Sequence, residues 1–149
     1  MRQYNNILVI IEPKRDQQLA LERAIQIARF NPKVTITALR LIYNFTNEIR
    51  FLGKKTERDT HQDAEEATKA EVDRQIADTL ALHPEVKDLN IKIVPKLKWV
   101  SDIADGMLEE TNSGLYDLLI KGANHHGILD SIIFTPHDWF LLRHAIIPV

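Results

Sequence analysis

The stretch Tyr116-Asp117-Leu118-Leu119-Ile120-Lys121 decides the fold of this chain, because an apolar strand here runs directly into the loop Gly122-Ala123-Asn124-His125. After nine further residues, Thr135-Pro136 opens a predicted helix. Strand, glycine-containing loop and helix start in this order are typical of phosphate-binding loops in α/β proteins. There, backbone N–H groups and the positive end of a helix face the phosphate.

The helix start itself favours a structural cap over a phosphate site. Thr135 is a good N-cap, Pro136 suits the first helical position, and Asp138 stands at the third. Phe134 and Trp139 occupy the places of a hydrophobic staple. Proline has no N–H to offer a phosphate, and the Asp138 carboxylate would repel a second anion at the positive end of the helix.

Outward from this segment, strand and helix signals alternate. Ile7 to Ile11 is a continuous apolar run, as expected of a central strand covered on both faces. Asp16 is predicted to cap a helix that ends at Asn31-Pro32. The β-branched residues of Val34 to Ile42 predict a second strand.

The middle of the chain is more polar. A helix is predicted from about Lys54 to Leu82, with few side chains to bury: Ala64, Ala67, Ala70, Val72, Ile76 and Leu80. Ile91 to Lys98 partly alternates and contains Pro95, with Lys92, Lys96 and Lys98 on one side. Lysines and an internal proline indicate an edge strand.

The remaining elements complete the predicted fold. Ser101 is expected to cap a third helix that Asn112 and Gly114 end, and a fourth helix runs from Pro136 to Ala145. Ile146 to Val149 begins a fifth strand that is cut short. Strands separated by helices predict an α/β fold: a doubly wound, parallel five-stranded sheet with helices on both faces and the fifth strand truncated.

Composition narrows the class of protein. With 149 residues and 44% apolar content, the chain suits one domain over residues 1–149. A net charge of -2 gives no overall attraction to nucleic acid or anionic membranes. The absence of cysteine excludes disulfides and cysteine-ligated metal. The longest aliphatic run is far too short to span a bilayer, so we expect a cytoplasmic protein without a membrane span.

The loop and helix start resemble those of the universal stress protein family. Its nucleotide-binding members have Gly, two residues, Gly, nine residues and Gly-Ser or Gly-Thr here, whereas this chain has Gly122, two residues, His125, nine residues and Thr135-Pro136. The segments Ile133-Phe134-Thr135-Pro136, Asp138-Trp139 and Leu141-Leu142-Arg143 resemble the first domain of the tandem subgroup.

This resemblance implies an adenine nucleotide alpha hydrolase-like fold, and that the chain is the N-terminal half of a tandem-domain protein. It also implies a second universal stress protein domain, or a second copy in a homodimer, as partner. The position that is aspartate in nucleotide-binding relatives is Glu12 here. The candidate crevice positions are Glu12, Tyr43, Lys121, Gly122, His125, Gly127 and Thr135.

Other constellations have simpler interpretations. The histidines at positions 125, 126 and 137 lack the ordered spacing of metal ligands. We therefore interpret them as residues of a surface loop and expect no bound metal. Ser131, His137 and Asp138 lack the strained nucleophile turn of a hydrolase triad. The aromatic residues Tyr43, Phe45, Phe51 and Trp99 follow strand ends, where they form either a ligand wall or plugs of the core.

The sequence therefore predicts a non-enzymatic stress-response module that binds a partner chain or a non-nucleotide small molecule in a modified crevice, with no cofactor. The alternative is an ATP-binding universal stress protein in which Gly122, Gly127 and the loop backbone rebuild the phosphate site. An enzyme of the wider nucleotide-binding α/β group ranks third, because no set of acid, base and nucleophile stands out.

Overall fold

The computed structural model describes residues 4–31, 33–43, 57–122, 124–126, 131–133 and 135–149. The strands are β1 (Asn6–Ile10), β2 (Thr35–Tyr43), β3 (Lys92–Val100), β4 (Leu118–Ile120), β5 (Asn124–His126) and β6 (Ser131–Ile133). The helices are α1 (Leu19–Phe30), α2 (Glu57–Ala81), α3 (Ile103–Thr111) and α4 (Pro136–His144), with a 3-10 helix at Pro84–Leu89.

A parallel sheet with strand order β3-β2-β1-β4 forms the centre of the fold. The apolar run predicted as a central strand is β1, which pairs with β2 on one side and β4 on the other. The lysine-rich strand predicted at an edge is β3, which pairs only with β2 in the described sheet. The predicted α/β class and parallel pairing are confirmed.

Helices cover both faces of the sheet, as predicted. On one face, Ile7 and Val9 of β1 pack with Ile25 of α1 and Val72 of α2. On the other face, Leu8 packs among residues of α3 and α4, including Met107 and Leu141. Successive residues of β1 therefore enter different cores, which explains why its sequence is apolar from Ile7 to Ile10.

The predicted count of five strands in the main sheet is wrong for the described residues, where four are present. The segment expected to begin a fifth strand forms no strand, although the Leu119 N–H donates to the Pro148 carbonyl at 2.9 Å. The Ile146 N–H donates instead to Oδ1 of Asn112 at 2.9 Å, so this part of the segment is tied to the end of α3 and not paired along β4. The structure also contains an antiparallel pair that the sequence did not predict, β5 with β6.

Two predicted helix caps are displaced by one or two residues. The N-cap of α1 is Gln18 rather than Asp16, and Gln18 makes no capping bond because its amide bonds the backbone of Glu12 and Arg15. The N-cap of α3 is Asp102 rather than Ser101, and its carboxylate accepts from the Asp105 N–H at 2.9 Å.

Helix α2 is present within the predicted range, but its buried side chains differ from the prediction. Val72 is buried as expected, whereas Ala67 and Ala70 are exposed. The polar side chains of Gln75 and Thr79 are buried instead. An alanine pattern therefore did not identify the inner face of this helix, because polar residues with specific partners occupy it.

Candidate functional site

The carboxyl ends of β1 and β4 meet at Glu12 and Gly122, as the topology predicted. A Cβ atom built on Gly122 would lie 3.1 Å from Oε1 of Glu12, so the two strand ends approach closely at a residue without a side chain. The Glu12 carboxylate forms an ion pair with Arg15 at 3.2 Å and is 25% exposed. The structure therefore brings these two predicted site residues together.

Two buried glutamines fix the loop that follows β1. Nε2 of Gln18 and Nε2 of Gln75 each donate to the carbonyl oxygens of Glu12 and Arg15, at 2.8 to 3.1 Å. The N–H of Lys14, which has a φ of 59°, donates to Oε1 of Glu71 at 2.9 Å. Helix α2 thus holds the loop in place. Sequence reasoning missed Gln18 and Gln75, since both read as ordinary polar residues.

The start of α4 has the predicted cap. The Asp138 N–H donates to Oγ1 of Thr135 at 3.2 Å, and the Thr135 N–H donates to Oδ2 of Asp138 at 2.7 Å, which forms a complete capping box. Pro136 occupies the first turn, as predicted. The staple prediction involves Phe134, which lies outside the described residues.

Asp138 has a second partner that the sequence did not reveal. Its Oδ1 accepts a hydrogen bond from Nζ of Lys121, the residue that follows β4, and both side chains are largely buried. Burial alone would raise the pKa of Asp138, but the bonds from Lys121 and from the Thr135 backbone outweigh it and hold the pKa below its usual range. A carboxylate that remains ionised therefore occupies the positive end of α4.

The other predicted site residues are less closely assembled. Tyr43 ends β2 with 54% exposure and does not line the cleft beside β4. His125 lies in β5, where its backbone pairs with Ile132. Trp99 is directed to α2, where its Nε1 donates to Glu65 at 2.5 Å. Gly127, Phe45 and Phe51 lie outside the described residues.

Beside β4 lies a cleft of about 440 Å³. Its walls are the β4 strand, Ile27 of α1, and Leu141 and Leu142 of α4, and the Lys121–Asp138 pair stands at one end. The walls are mainly apolar, with a few polar groups at the margin, as is usual for small-molecule sites. Two of the predicted crevice residues, Lys121 and Gly122, line this cleft, whereas its apolar walls on α1 and α4 were not identified from the sequence.

A second buried polar cluster joins β3 to α3. The Glu110 carboxylate, 6% exposed, accepts hydrogen bonds from Nζ of Lys96 at 2.5 Å and the Tyr116 hydroxyl at 2.7 Å, and Nζ of Lys98 lies 3.5 Å away. Burial opposes ionisation of Glu110, but these partners hold its pKa below the usual range. Burial and the neighbouring carboxylate raise the pKa of Tyr116.

Among the described ranges, no group of three histidine, aspartate or glutamate residues is placed to hold a metal ion. Across the same ranges, no helix combines the length and apolar content needed to cross a membrane.

The sequence of this chain is similar to those of universal stress proteins. The universal stress protein E homolog of Haemophilus influenzae is 37% identical over 98% of this chain and 46% of its own length. Universal stress protein E of Escherichia coli K12 is 33% identical over 100% of this chain and 45% of its own. This chain therefore spans about half the length of the curated relatives it matches.

Solved structures agree in fold. The crystal structure of a universal stress protein in complex with cAMP superposes with a TM-score of 0.56 at 14% identity, covering 99% of this chain and 98% of that one. A likeness at this identity shows the fold alone. The model of the universal stress protein family matches residues 3–149. The resemblance inferred from the loop and helix start is thus confirmed, and the chain belongs to the universal stress protein family.

Proposed function

We propose that this chain is a non-enzymatic stress-response domain of the cytoplasm that binds a partner chain or a non-nucleotide small molecule, and that its ATP-binding motif is degenerate. The observation that carries the proposal is the position of Asp138. Its carboxylate lies at the N-terminus of α4, bonded to both Thr135 and Lys121, where a nucleotide phosphate would otherwise be held.

Three of the four backbone positions from 135 to 138 offer a phosphate no free N–H group. Pro136 has no N–H, and the N–H groups of Thr135 and Asp138 are bonded within the cap. The Lys121 ammonium is neutralised by Asp138. A phosphate entering here would face a carboxylate in a largely buried setting, where repulsion between like charges is screened much less than in water.

The cleft beside β4 supports binding of an apolar group instead. Leu142 and Val149 line the cleft and are about half exposed, so they offer unpaired apolar surface. A volume of about 440 Å³ suits a small ligand or two or three side chains of a partner. In this proposal the carboxylates of Glu12 and Asp138 have structural roles, because each is paired with a cationic side chain, and neither acts as a catalytic acid or base.

Calorimetry with ATP and magnesium tests the exclusion of nucleotide. At millimolar ATP we expect no binding tighter than roughly 0.1 mM, which corresponds to about -5.5 kcal/mol. Binding in the micromolar range would contradict the proposal.

A fluorescent apolar probe tests the cleft. We expect 1-anilinonaphthalene-8-sulfonate to bind with saturation, and Leu142→Glu to weaken that binding because a carboxylate in the cleft wall would repel the sulfonate of the probe. Leu115→Glu is the matched control, since Leu115 is similarly exposed but does not line the cleft. Equal binding by both variants would show that the probe does not occupy the cleft.

The alternative function is ATP binding through a rebuilt phosphate loop. It is favoured by a relative of the same fold that was solved in complex with cAMP, and by the Lys121 ammonium beside Gly122. In that case Lys121 would exchange Asp138 for a phosphate. The ATP titration separates the two functions, because only the alternative predicts a measurable affinity in the unmodified chain.

We also propose that the domain works beside a second universal stress protein domain or a second copy of itself. The curated relatives are about twice as long as this chain, which leaves room for another domain in those proteins. Comparing the thermal stability of this chain with that of a version joined to a second such domain would test this. An unchanged midpoint would argue against a stabilising contact.

A further inference from the structure

The turn that follows β1 is held in a strained conformation. Lys14, which comes directly after Pro13, has a φ of 59°, in the left-handed region that favours glycine. Such a conformation persists only where the surroundings impose it, and it is common at ligand clamps and switch regions. Here the amides of Gln18 and Gln75 bond the backbone on both sides of Lys14. These side chains therefore keep the turn closed against its local preference.

Buried polar atoms next to this turn lack hydrogen bonds. Among the described residues, Nε and Nη1 of Arg40 and Oε1 of Gln75 have no hydrogen-bond partner. Oε2 of Glu71 lies 3.7 Å from Nη1 of Arg40, which is close enough for an ion pair but too far for a hydrogen bond. Burial lowers the pKa of Arg40, and the Glu71 charge opposes that effect only in part. The closed turn thus leaves a buried guanidinium incompletely satisfied, which costs free energy.

Glu71 of α2 lies between the turn and this guanidinium. Its Oε1 accepts the Lys14 N–H at 2.9 Å, whereas its Oε2 stops short of Arg40. A rotation of the carboxylate toward Arg40 would replace a bond to a neutral N–H by a bond between two charged groups, which is the stronger kind. The structure therefore shows Glu71 in the position that holds the turn, with a second partner within reach.

The closed turn also leaves almost no room between the ends of β1 and β4. The space bounded by Glu12, Gln18, Leu19 and Gly122 has a volume of about 10 Å³, which is barely enough for one water molecule. Glu12 begins the turn and forms one wall of this space. Raising the turn would therefore widen the space beside Gly122.

We propose that residues 12–15 form a lid over this space, and that Glu71 is its latch. In the closed lid Glu71 holds the Lys14 N–H, and in the open lid it transfers to Arg40. Opening breaks the bonds of the Gln18 and Gln75 amides to the lid, which is why the closed form is the one observed. Opening also relieves the φ of Lys14 and admits water to the unpaired atoms of Arg40 and Gln75. This inference does not depend on the proposed function.

Amide hydrogen exchange at Lys14 tests the latch, because Glu71 protects this N–H only in the closed lid. Arg40→Met removes the group that receives Glu71 in the open lid. It should slow exchange at Lys14 by about threefold or more, measured against amides of β1 that report global unfolding. Arg40→Lys keeps a cation and should stay near the original rate. Arg74→Met is the control, since Arg74 lies on the same helix but is exposed.

The direction of this change separates a latch from a merely structural ion pair. If Arg40 only stabilised the closed lid, its loss would speed exchange at Lys14. Lys14→Gly gives an independent check, because glycine adopts a φ of 59° without strain. After correction for the intrinsic rate of glycine, exchange at position 14 should be slower than in the original chain.

Thiol labelling gives a second readout of the space under the lid. The chain contains no cysteine, so Ala20→Cys, in the wall of this space, supplies a single thiol that lid opening exposes. It should react with Ellman's reagent faster than Ala24→Cys, which lies in the core and does not line the space. Adding Arg40→Met should slow the reaction of Ala20→Cys.

Each of three results would overturn the proposal. The first is unchanged or faster exchange at Lys14 in Arg40→Met. The second is exchange in Arg40→Lys as slow as in Arg40→Met, because the cation would then not be what receives Glu71. The third is equal labelling of the two thiols, since the space would then open only with the whole fold. Circular dichroism confirms folding of each variant.

Discussion

Asp138 and Lys121, 17 residues apart in sequence, form an ion pair between the start of α4 and the end of β4. The same carboxylate accepts the Thr135 N–H at 2.7 Å. One side chain therefore closes the helix cap and neutralises the cation nearest to Gly122. In the proposed function, the same carboxylate that completes the capping box also excludes a phosphate from the start of α4.

Restoring the glycine spacing of nucleotide-binding relatives should restore ATP binding. The triple variant His125→Gly, Thr135→Gly and Pro136→Ser returns one backbone N–H and gives the loop access to positive φ. Calorimetry should detect ATP affinity in it. Adding Asp138→Ala should raise that affinity, because it removes the competing anion and leaves the Lys121 ammonium available.

Two further measurements support this prediction. Lys121→Met in the fourfold variant should reduce the gained affinity, whereas Lys92→Met at the far edge should not. The glycine and serine changes should lower the free energy of unfolding in urea by roughly 1–2 kcal/mol, since they weaken a cap and free the unfolded backbone. A folded fourfold variant without ATP affinity would show that the crevice is blocked elsewhere.

Local signals made the fold and the cap predictable from sequence. The apolar run of β1, the lysines of β3 and the Thr135 to Asp138 capping box each depend on neighbours within a few residues. The ion pair of Lys121 with Asp138 and the bonds of Gln75 to Glu12 and Arg15 join residues 17 to 63 positions apart. Such pairs depend on how the elements pack, which no local pattern contains.

The misplaced caps and strand have the same origin. Local sequence preference favours Asp16 as the N-cap of α1. The Gln18 amide instead turns inward and donates to the carbonyls of Glu12 and Arg15, and the helix starts at Leu19. The residues after Ile146 have strand-like composition, yet they meet a β4 strand of only three residues. Tertiary contacts decided both outcomes against the local preference.

Gly106 in α3 is predicted to be intolerant of alanine. A Cβ atom there would lie 2.2 Å from Cγ1 of Val100, inside the van der Waals contact distance. Alanine would gain up to about 1 kcal/mol in helix propensity, but overpacking costs typically 1–3 kcal/mol. We expect Gly106→Ala to lower the free energy of unfolding in urea. Adding Val100→Ala should recover part of the loss by making room, and a double variant no better than the single would contradict this explanation.

Gln75 is predicted to stabilise the loop after β1. Gln75→Met removes two hydrogen bonds to the carbonyls of Glu12 and Arg15, although Gln18 still bonds both. We expect a loss of about 1–2 kcal/mol and faster amide hydrogen exchange at Lys14. Gln62→Met, on the exposed face of the same helix, should change stability by less than about 0.5 kcal/mol. Equal exchange rates in the two variants would refute a role in holding the loop.

Glu110 and Tyr116 are predicted to make stability depend on pH at both ends of the range. The folded pKa of Glu110 lies below its ordinary value of 4.5. The ionised carboxylate therefore contributes its full share to the free energy of unfolding above pH 4.5, and this share is lost as the pH falls through the folded pKa. The folded pKa of Tyr116 lies above its ordinary value of 10.0, so its contribution is full below pH 10 and is lost as the pH rises beyond it. Urea unfolding from pH 3 to pH 11 should therefore show a lower free energy of unfolding at each end of this range.

Two variants separate these contributions. Glu110→Gln should lower the free energy of unfolding by about 1–3 kcal/mol at pH 7 and reduce the acid fall. Part of the acid fall remains because Asp138 is also held ionised. Tyr116→Phe should remove the contribution of Tyr116 to the alkaline fall and also reduce the acid fall in part, because the Tyr116 hydroxyl is one of the partners that hold the pKa of Glu110 down. If Glu110→Gln leaves the acid limb unchanged, the Lys96–Glu110 bond at 2.5 Å does not stabilise the fold through the ionised carboxylate.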